Sequence, residues 1–268
     1  MPNELITASS RELATELTAY DEKMLSVFEY LGLPTNNILV KVDERRKVFK
    51  NIEDVLEPLS SETLETSTYI SKFLSAVSAG LFDAALNYLW DETVSQLRFR
   101  VSQYDIQYFF DLAVTSDKRT KLSTEDDLVK IDDSELIQGA KEIGLISDIG
   151  YRLLDNIKFM RNWASAAHPN QVELTGLQLI DWLETCIKEV ISLPLSNLTI
   201  QIGKLLRNIK TNTLDEAEAE TISNFFCELT SEKANSLCNG FFGIYCRIDT
   251  TSDTKRNIKL LLPKLFSR

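Results

Sequence analysis

The sequence predicts an all-α fold, because three of its features favour long helices over sheets. Glycine and proline are scarce, with 9 and 6 occurrences in 268 residues, so tight turns are few. No proline occurs between Pro58 and Pro169. Apolar residues recur at helical spacing along most of the chain. A chain of this length can bury a sizeable core, as one large domain or two small ones.

The N-terminal region is predicted to be a helix followed by a short hairpin. Residues 9–32 begin at a serine cap and end at Gly32, with Pro34 just beyond, which is typical of a helix. Residues 38–50 combine partial alternation with β-branched side chains, so we interpret them as one small β-hairpin. A charged helical turn is the alternative. Pro58 ends this region.

Residues 60–98 are predicted to form two helices separated by Gly80. The first, 60–79, follows serine residues that can cap it and carries apolar residues on one side. The second, 81–98, is apolar on nearly all sides in its first half, which indicates a buried helix.

Three polar residues interrupt this buried helix: Asp83, Asn87 and Asp91. Their spacing of i, i+4 and i+8 places them in one line along the helix. Buried polar atoms need hydrogen-bond partners, because unsatisfied ones cost free energy. The three side chains therefore either line a cleft or satisfy one another and nearby backbone groups, and both alternatives stay open.

The remainder of the chain continues the helical pattern, with one long loop. We expect helices at 102–114, 135–143, 147–168 and 172–192, and two or three more within 195–268. Residues 115–134 are charged and rich in serine, threonine and aspartate, which predicts the longest loop. Another loop is expected around Gly240 and Gly243.

Composition argues against several classes of protein. The net charge of −11 disfavours general coating of nucleic acid, although a locally basic cleft is compatible with it. The cysteines at 186, 227, 238 and 246 lack metal-site spacing, so we expect reduced, mostly core thiols, no metal and no cofactor. Residues 1–4 lack the pattern of a signal peptide and no apolar run is long enough for a membrane span, which predicts a cytoplasmic protein without membrane contact.

The candidate site centres on His168, the only histidine, which lies seven residues after Arg161. On a helix both side chains point to nearly the same side, about 10 Å apart along the axis, with the small residues Ala164 and Ser165 between them. Pro169 places His168 near the C-terminal end of the helix. The helix dipole there favours the charged imidazole and the arginine opposes it, so the ring suits proton transfer near neutral pH.

This pair fits the cleavage of RNA without a metal. Such cleavage needs a base, an acid and a cation for the crowded phosphate. Arg161 suits the last task because its fork matches phosphate oxygens. One histidine does not easily act as both base and acid, so the single His168 favours a site built by two copies of the chain. The alternative is a helix-terminating histidine, with the arginine used in packing.

Residues 151–170 resemble the signature helix of the HEPN superfamily (higher eukaryotes and prokaryotes nucleotide-binding). The motif of that family is an arginine, four to six residues and then a histidine, and an asparagine often follows the arginine. Arg161, Asn162 and His168 match it at the six-residue spacing. Residues 80–86 are similar to the opening helix of the family.

The resemblance extends over about 60–193, because the helix at 172–192 fits the element that follows the motif. It implies an up-and-down helical bundle of HEPN type with additional helices at both ends. The resulting division of the chain is an N-terminal extension at 1–58, a HEPN-like bundle at 59–193 and a C-terminal extension at 194–268.

The resemblance also implies a function. Family members are often metal-independent endoribonucleases that act as homodimers in toxin–antitoxin, abortive-infection or CRISPR-linked antiviral defence. Arg161 and His168 carry over as the catalytic pair and Asn162 as a helper, with RNA as substrate and an antitoxin or defence-system protein as a further partner. Many members bind nucleotides or serve as scaffolds without cutting, so a non-catalytic helical module is the alternative.

Other cations are candidates for RNA contacts. Lys158 lies about one turn before Arg161 on the same helix and is the first candidate. The basic clusters at 45–47 and 118–119 are weaker ones, since such clusters are commonly solvated surface. Trp163 is interpreted as a core anchor rather than as a platform for a base.

Overall fold

The computed structural model describes residues 10–164, 173–194 and 198–267. Throughout these ranges the regular structure is helical and no strand is present, which confirms the predicted all-α class. Among the helices described, none combines the length and the apolarity needed to cross a membrane.

The α-helices are numbered in chain order. They are α1 (Ser10–Tyr30), α2 (Val42–Leu56), α3 (Ser61–Thr66), α4 (Thr68–Ser78), α5 (Phe82–Ser102), α6 (Ile106–Ala113), α7 (Ser116–Arg119), α8 (Asp133–Glu142), α9 (Asp148–Ala164), α10 (Gly176–Cys186), α11 (Leu198–Thr211), α12 (Glu216–Phe226), α13 (Ser231–Cys246) and α14 (Ser252–Phe266). A 3-10 helix spans Glu125–Lys130, and a π-helical turn, Ile187–Ile191, continues α10.

The chain divides into two compact units. Unit 1 consists of Met1–Ser95 with Arg152–Ser192, and unit 2 consists of Gln96–Tyr151 with Leu193–Arg268. These units do not coincide with the three segments expected from the resemblance. Compact packing does not test where a family module begins, so that division stays a prediction.

The predicted β-hairpin at 38–50 is wrong, because most of this segment lies in α2. The buried residues of α2 recur every three or four positions, which is the period of a helix rather than of a strand. These residues are Arg45, Val48, Ile52 and Val55. Two acidic residues in the first turn also favour a helix start there. The alternative of a charged helical segment therefore describes this region.

The helix predicted at 60–79 is two helices, α3 and α4, separated at Ser67. The Ser67 side chain accepts a hydrogen bond from the backbone N–H of Ile70 (3.2 Å), which caps α4. Its hydroxyl also donates to Oε2 of the buried Glu92 (2.7 Å). The break therefore provides a partner for a carboxylate on α5 that is 3 % exposed.

The C-terminal part of the chain contains more helices than the sequence predicted. Residues 198–267 contain α11, α12, α13 and α14, rather than two or three helices. Gly240 and Gly243 lie inside α13, so the loop expected there is wrong. A Cβ added at Gly240 would lie 3.2 Å from a methyl group of Leu206, so this glycine permits close helix packing instead of a turn.

The expected core position of the cysteines holds only for Cys186. Cys227 and Cys246 are exposed, Cys238 is half-buried, and all four thiols are free. Burial raises the pKa of Cys186 to about 12, although a hydrogen bond with Thr93 opposes the shift. That thiol is therefore protonated and unreactive in the folded protein.

Helix α10 begins against α2 in unit 1. Thr175 caps α10, and the backbone N–H of Gly176 also donates to Oε2 of Glu44 (2.9 Å), so a carboxylate of α2 adds to this cap. A hydrogen bond with Lys47 and then this N–H hold the pKa of Glu44 below its ordinary value. A Cβ at position 176 would lie 2.0 Å from the carbonyl oxygen of Glu44. Only glycine permits this approach.

We expect Gly176→Ala to lower the free energy of unfolding by roughly 1–3 kcal/mol, because α10 must move away from α2. The matched control is Gly243→Ala. Its added Cβ would lie 3.5 Å from Tyr108, an ordinary contact, so this change should be neutral or stabilising by about 0.5–1 kcal/mol. Urea unfolding followed by circular dichroism measures both. Equal midpoints for the two variants would contradict the close approach.

Candidate arginine site

Helices α5 and α9 bring two predicted site residues together within unit 1. The Nε atom of Arg161 donates to Oδ1 of Asn87 at 2.8 Å. The Nδ2 atom of Asn87 donates to the backbone carbonyl of Asp83 (2.9 Å), so the amide is held from both sides. The polar line on α5 thus positions the guanidinium of α9.

A second amide contacts the same guanidinium. Nη1 of Arg161 donates to Oδ1 of Asn162 at 3.2 Å. Among the residues that the structure describes, no carboxylate forms an ion pair with Arg161. Its two acceptors in the described structure, Asn87 and Asn162, are neutral, so no anion of these residues pairs with its positive charge. A half-buried arginine in this condition can bind an anion such as a phosphate.

The two aspartates of the polar line differ from Asn87. Asp83 is exposed and contacts Asn87 through its backbone carbonyl. Asp91 is half-buried and has interactions of its own. Of the three residues in the line, it is the middle one, Asn87, that accepts the hydrogen bond from Arg161. The cleft-lining role of the three residues stays a prediction.

The predicted RNA contact Lys158 is engaged by an acidic neighbour. Its Nζ lies 2.8 Å from Oδ1 of Asp155, and its side chain is 15 % exposed. This i, i+3 pair on α9 offsets much of the charge that a phosphate would need. The RNA-binding role of Lys158 stays a prediction.

The basic clusters at 45–47 and 118–119 are also paired with carboxylates. The ion pairs are Arg45–Asp21, Arg46–Asp43, Lys47–Glu44, Lys118–Glu135 and Arg119–Asp111. These cations contribute to ion pairs within the fold, which leaves them less suited to hold RNA.

An aromatic pair on α9 was not identified as such from the sequence. The rings of Phe159 and Trp163 lie 5.7 Å apart, and these side chains are 51 % and 36 % exposed. The interpretation of Trp163 as a core anchor is therefore wrong. The i, i+4 spacing of two aromatic residues was the available signal, but their exposure depends on how α9 packs.

The second member of the predicted catalytic pair, His168, lies outside the described residues, as does the end of the helix predicted at 147–168. Helix α9 is described to Ala164. The geometry between Arg161 and His168 therefore stays a prediction. Within the described ranges, no group of three His, Cys, Asp or Glu side chains could hold a metal ion.

In the part of the chain that the structure describes, the fold is all-α and the site is an arginine that two asparagines contact and no carboxylate pairs with. Comparison of the chain with protein-family models, characterised proteins and solved structures finds no match. Membership of the HEPN superfamily therefore stays a prediction based on the residues of α9 and the segment that follows it.

Proposed function

We propose that this protein is a metal-independent endoribonuclease of HEPN type, which cleaves RNA at a site built by two copies of the chain. The observation that supports it best is the hydrogen bond from Nε of Arg161 to Asn87. This bond orients a guanidinium whose charge no described carboxylate compensates. A fixed cation of this kind stabilises charge that develops on a phosphate during cleavage.

In the proposed reaction, the 2′-hydroxyl loses its proton to His168 of one copy and attacks the neighbouring phosphorus. The bond from phosphorus to the 5′-oxygen breaks, and His168 of the other copy gives that oxygen its proton. Arg161 stabilises the negative charge on the phosphate oxygens, and Asn162 helps to hold Arg161. We place this activity in bacterial defence or toxin–antitoxin control, where a protein partner restrains it.

One observation favours a second candidate, a non-catalytic helical module that binds a nucleotide or a protein partner. Lys158 and the clusters at 45–47 and 118–119 are ion-paired, and the chain has a net charge of −11. These paired cations of the described residues are less available to attract a long strand of RNA.

Cleavage of single-stranded RNA in EDTA distinguishes the two candidates. We expect the wild type to cut, and we expect His168→Ala to cut about 10²–10⁴-fold more slowly, because proton transfer is lost. Circular dichroism and the molar mass in solution serve as controls for the fold and for the dimer. If the wild type and the variant behave alike, the helical module is the better description.

A further inference from the structure

The excess negative charge is unevenly distributed along the chain. Residues 193–268 contain more Lys and Arg than Asp and Glu, although the whole chain has a net charge of −11. Within this basic part, Lys255, Arg256 and Lys259 lie on α14 at positions i, i+1 and i+4. They form one contiguous surface, which we call the α14 basic patch.

The α14 basic patch carries charge that no ion pair of the described residues neutralises. Within the described part of the chain, none of its three side chains forms an ion pair with a carboxylate. Glu216 lines a pocket of about 310 Å³ together with Arg256 and Lys259, but it pairs with neither. Lys255 and Lys259 repel each other across one turn of α14. This arrangement favours an anionic ligand.

Aromatic side chains of α13 accompany the patch. The Nζ atoms of Lys255 and Lys259 lie 5.9 and 5.8 Å from the ring centre of Tyr245, so cation–π attraction offsets part of their repulsion. Phe242 lies three residues before Tyr245 on the same side of α13 and is 49 % exposed. Helix geometry thus places an exposed ring one turn before the ring that the cations contact, and cations combined with exposed aromatic rings are typical of surfaces that bind single-stranded nucleic acid.

We propose that the α14 basic patch binds the phosphates of single-stranded RNA and that Phe242 stacks on one of its bases. This inference rests on the proposed endoribonuclease function and identifies a surface in unit 2 that takes the same class of ligand. An acidic protein segment would neutralise the three cations, but it would not account for the exposed ring of Phe242 one turn before Tyr245 on α13. RNA satisfies both features.

The test measures binding of a fluorescein-labelled oligouridylate by anisotropy, in the His168→Ala background so that the probe stays intact. The variant is Lys255→Gln with Arg256→Gln and Lys259→Gln. The control is Lys23→Gln with Lys50→Gln and Lys121→Gln, which removes the same charge from exposed lysines elsewhere.

We expect the patch variant to bind at least about tenfold more weakly and to lose about 2 from the slope of log affinity against log salt, since each single-strand phosphate contact contributes about 0.7. Phe242→Ala should weaken binding at least about fivefold, through lost stacking. The thermal midpoint of the patch variant should equal or exceed that of its parent, because repulsion is relieved.

Three results would overturn the patch proposal. The first is that the patch and control variants weaken RNA binding equally, and the second is that the parent protein does not bind the probe. The third is that the patch variant loses affinity for an acidic peptide but keeps its affinity for RNA. The cleavage rate at saturating RNA is measured separately. If that rate disappears only in the Arg161 and His168 variants, the proposed function stands whichever way the patch experiment ends.

Discussion

Arg161→Lys is expected to abolish most RNA cleavage and to leave the fold intact. Lysine keeps the positive charge, but it lacks the Nε atom that donates to Asn87 and the planar fork that matches phosphate oxygens. We expect a loss of about 10²–10³ in kcat for Arg161→Lys, as for removal of one donor to a transition-state oxyanion. Arg161→Ala should lose about 10³–10⁵, by analogy with arginines that stabilise phosphoryl transfer.

Two substitutions at Asn87 separate orientation of Arg161 from compensation of its charge. Asn87→Ala removes the acceptor of the 2.8 Å hydrogen bond, so the guanidinium becomes mobile. A misplaced group of this kind lowers kcat by about 10²-fold. Asn87→Asp keeps an oxygen for Nε but places a carboxylate beside the cation. Both variants lose the donor to the backbone carbonyl of Asp83, so any change in thermal midpoint from that loss is common to them. Beyond it, we expect the KM of the Asp variant to rise and its kcat to fall.

The measurements are kcat and KM for an RNA oligonucleotide in EDTA, with thermal midpoints as the control for folding. A structural role of Asn87 alone would move the midpoint and leave kcat of the folded protein unchanged. If Arg161→Lys cleaves RNA at the wild-type rate, Arg161 acts in packing and the non-catalytic module is favoured.

The contact between Asn87 and Arg161 was only partly foreseeable. The i, i+4, i+8 line on α5 predicted that polar atoms there need partners, and the motif identified Arg161. Nothing local to either helix indicates that Asn87, rather than Asp83 or Asp91, accepts from the arginine. Which of the three accepts depends on how α5 and α9 meet in the fold, and the two bonded residues are 74 positions apart in the sequence.

The sequence predicted helices well where the helical pattern of apolar residues was long and residues typical of helix ends stood on both sides of it. Helix α1 matches its predicted bounds closely, because serine, Gly32 and Pro34 delimit it. The segment at 38–50 was misread because a short run of β-branched residues is compatible with either structure. Arg45 is one of the buried residues that give α2 its helical period, and a charged residue in the core is not visible in the hydrophobic pattern.

The second large effect is expected from Asp21→Ala, which removes the partner of a buried cation. Arg45 is 0 % exposed, and its Nη1 and Nη2 atoms donate to the two carboxylate oxygens of Asp21 at 2.8 and 2.6 Å. Its remaining bonds go to the backbone carbonyls of Val40 (2.8 Å) and Ser78 (3.1 Å). The pair therefore connects α1, α2 and the end of α4.

A glycine beside this pair shows how closely it is packed. Gly80 has a φ of +73°, a left-handed conformation that favours glycine. A Cβ at that position would lie 2.6 Å from Nη2 of Arg45. The backbone at Gly80 therefore closes one side of the guanidinium. Because Arg45 itself is 0 % exposed, we expect its charge to stay largely buried without a counter-charge when Asp21 is removed.

We expect Asp21→Ala to lower the free energy of unfolding by about 3–5 kcal/mol, the usual effect of leaving a buried charge unpaired. The matched control is Asp43→Ala, which breaks the Arg46–Asp43 pair. The side chains of that pair are 35 % and 82 % exposed, so its loss should cost about 0–1 kcal/mol. Guanidinium unfolding followed by circular dichroism measures both variants.

The combination of Asp21→Ala with Arg45→Met identifies the source of the destabilisation. Replacing a buried ion pair by apolar side chains of similar volume is often neutral, whereas removing one partner is not. The double variant should therefore be more stable than Asp21→Ala alone, which gives a favourable coupling between the two changes. If Asp21→Ala and Asp43→Ala cost the same, or if Arg45→Met fails to rescue, lost packing around α1 rather than an unpaired charge explains the effect. Rescue would show that Arg45, a cation considered for RNA binding from sequence, serves the fold.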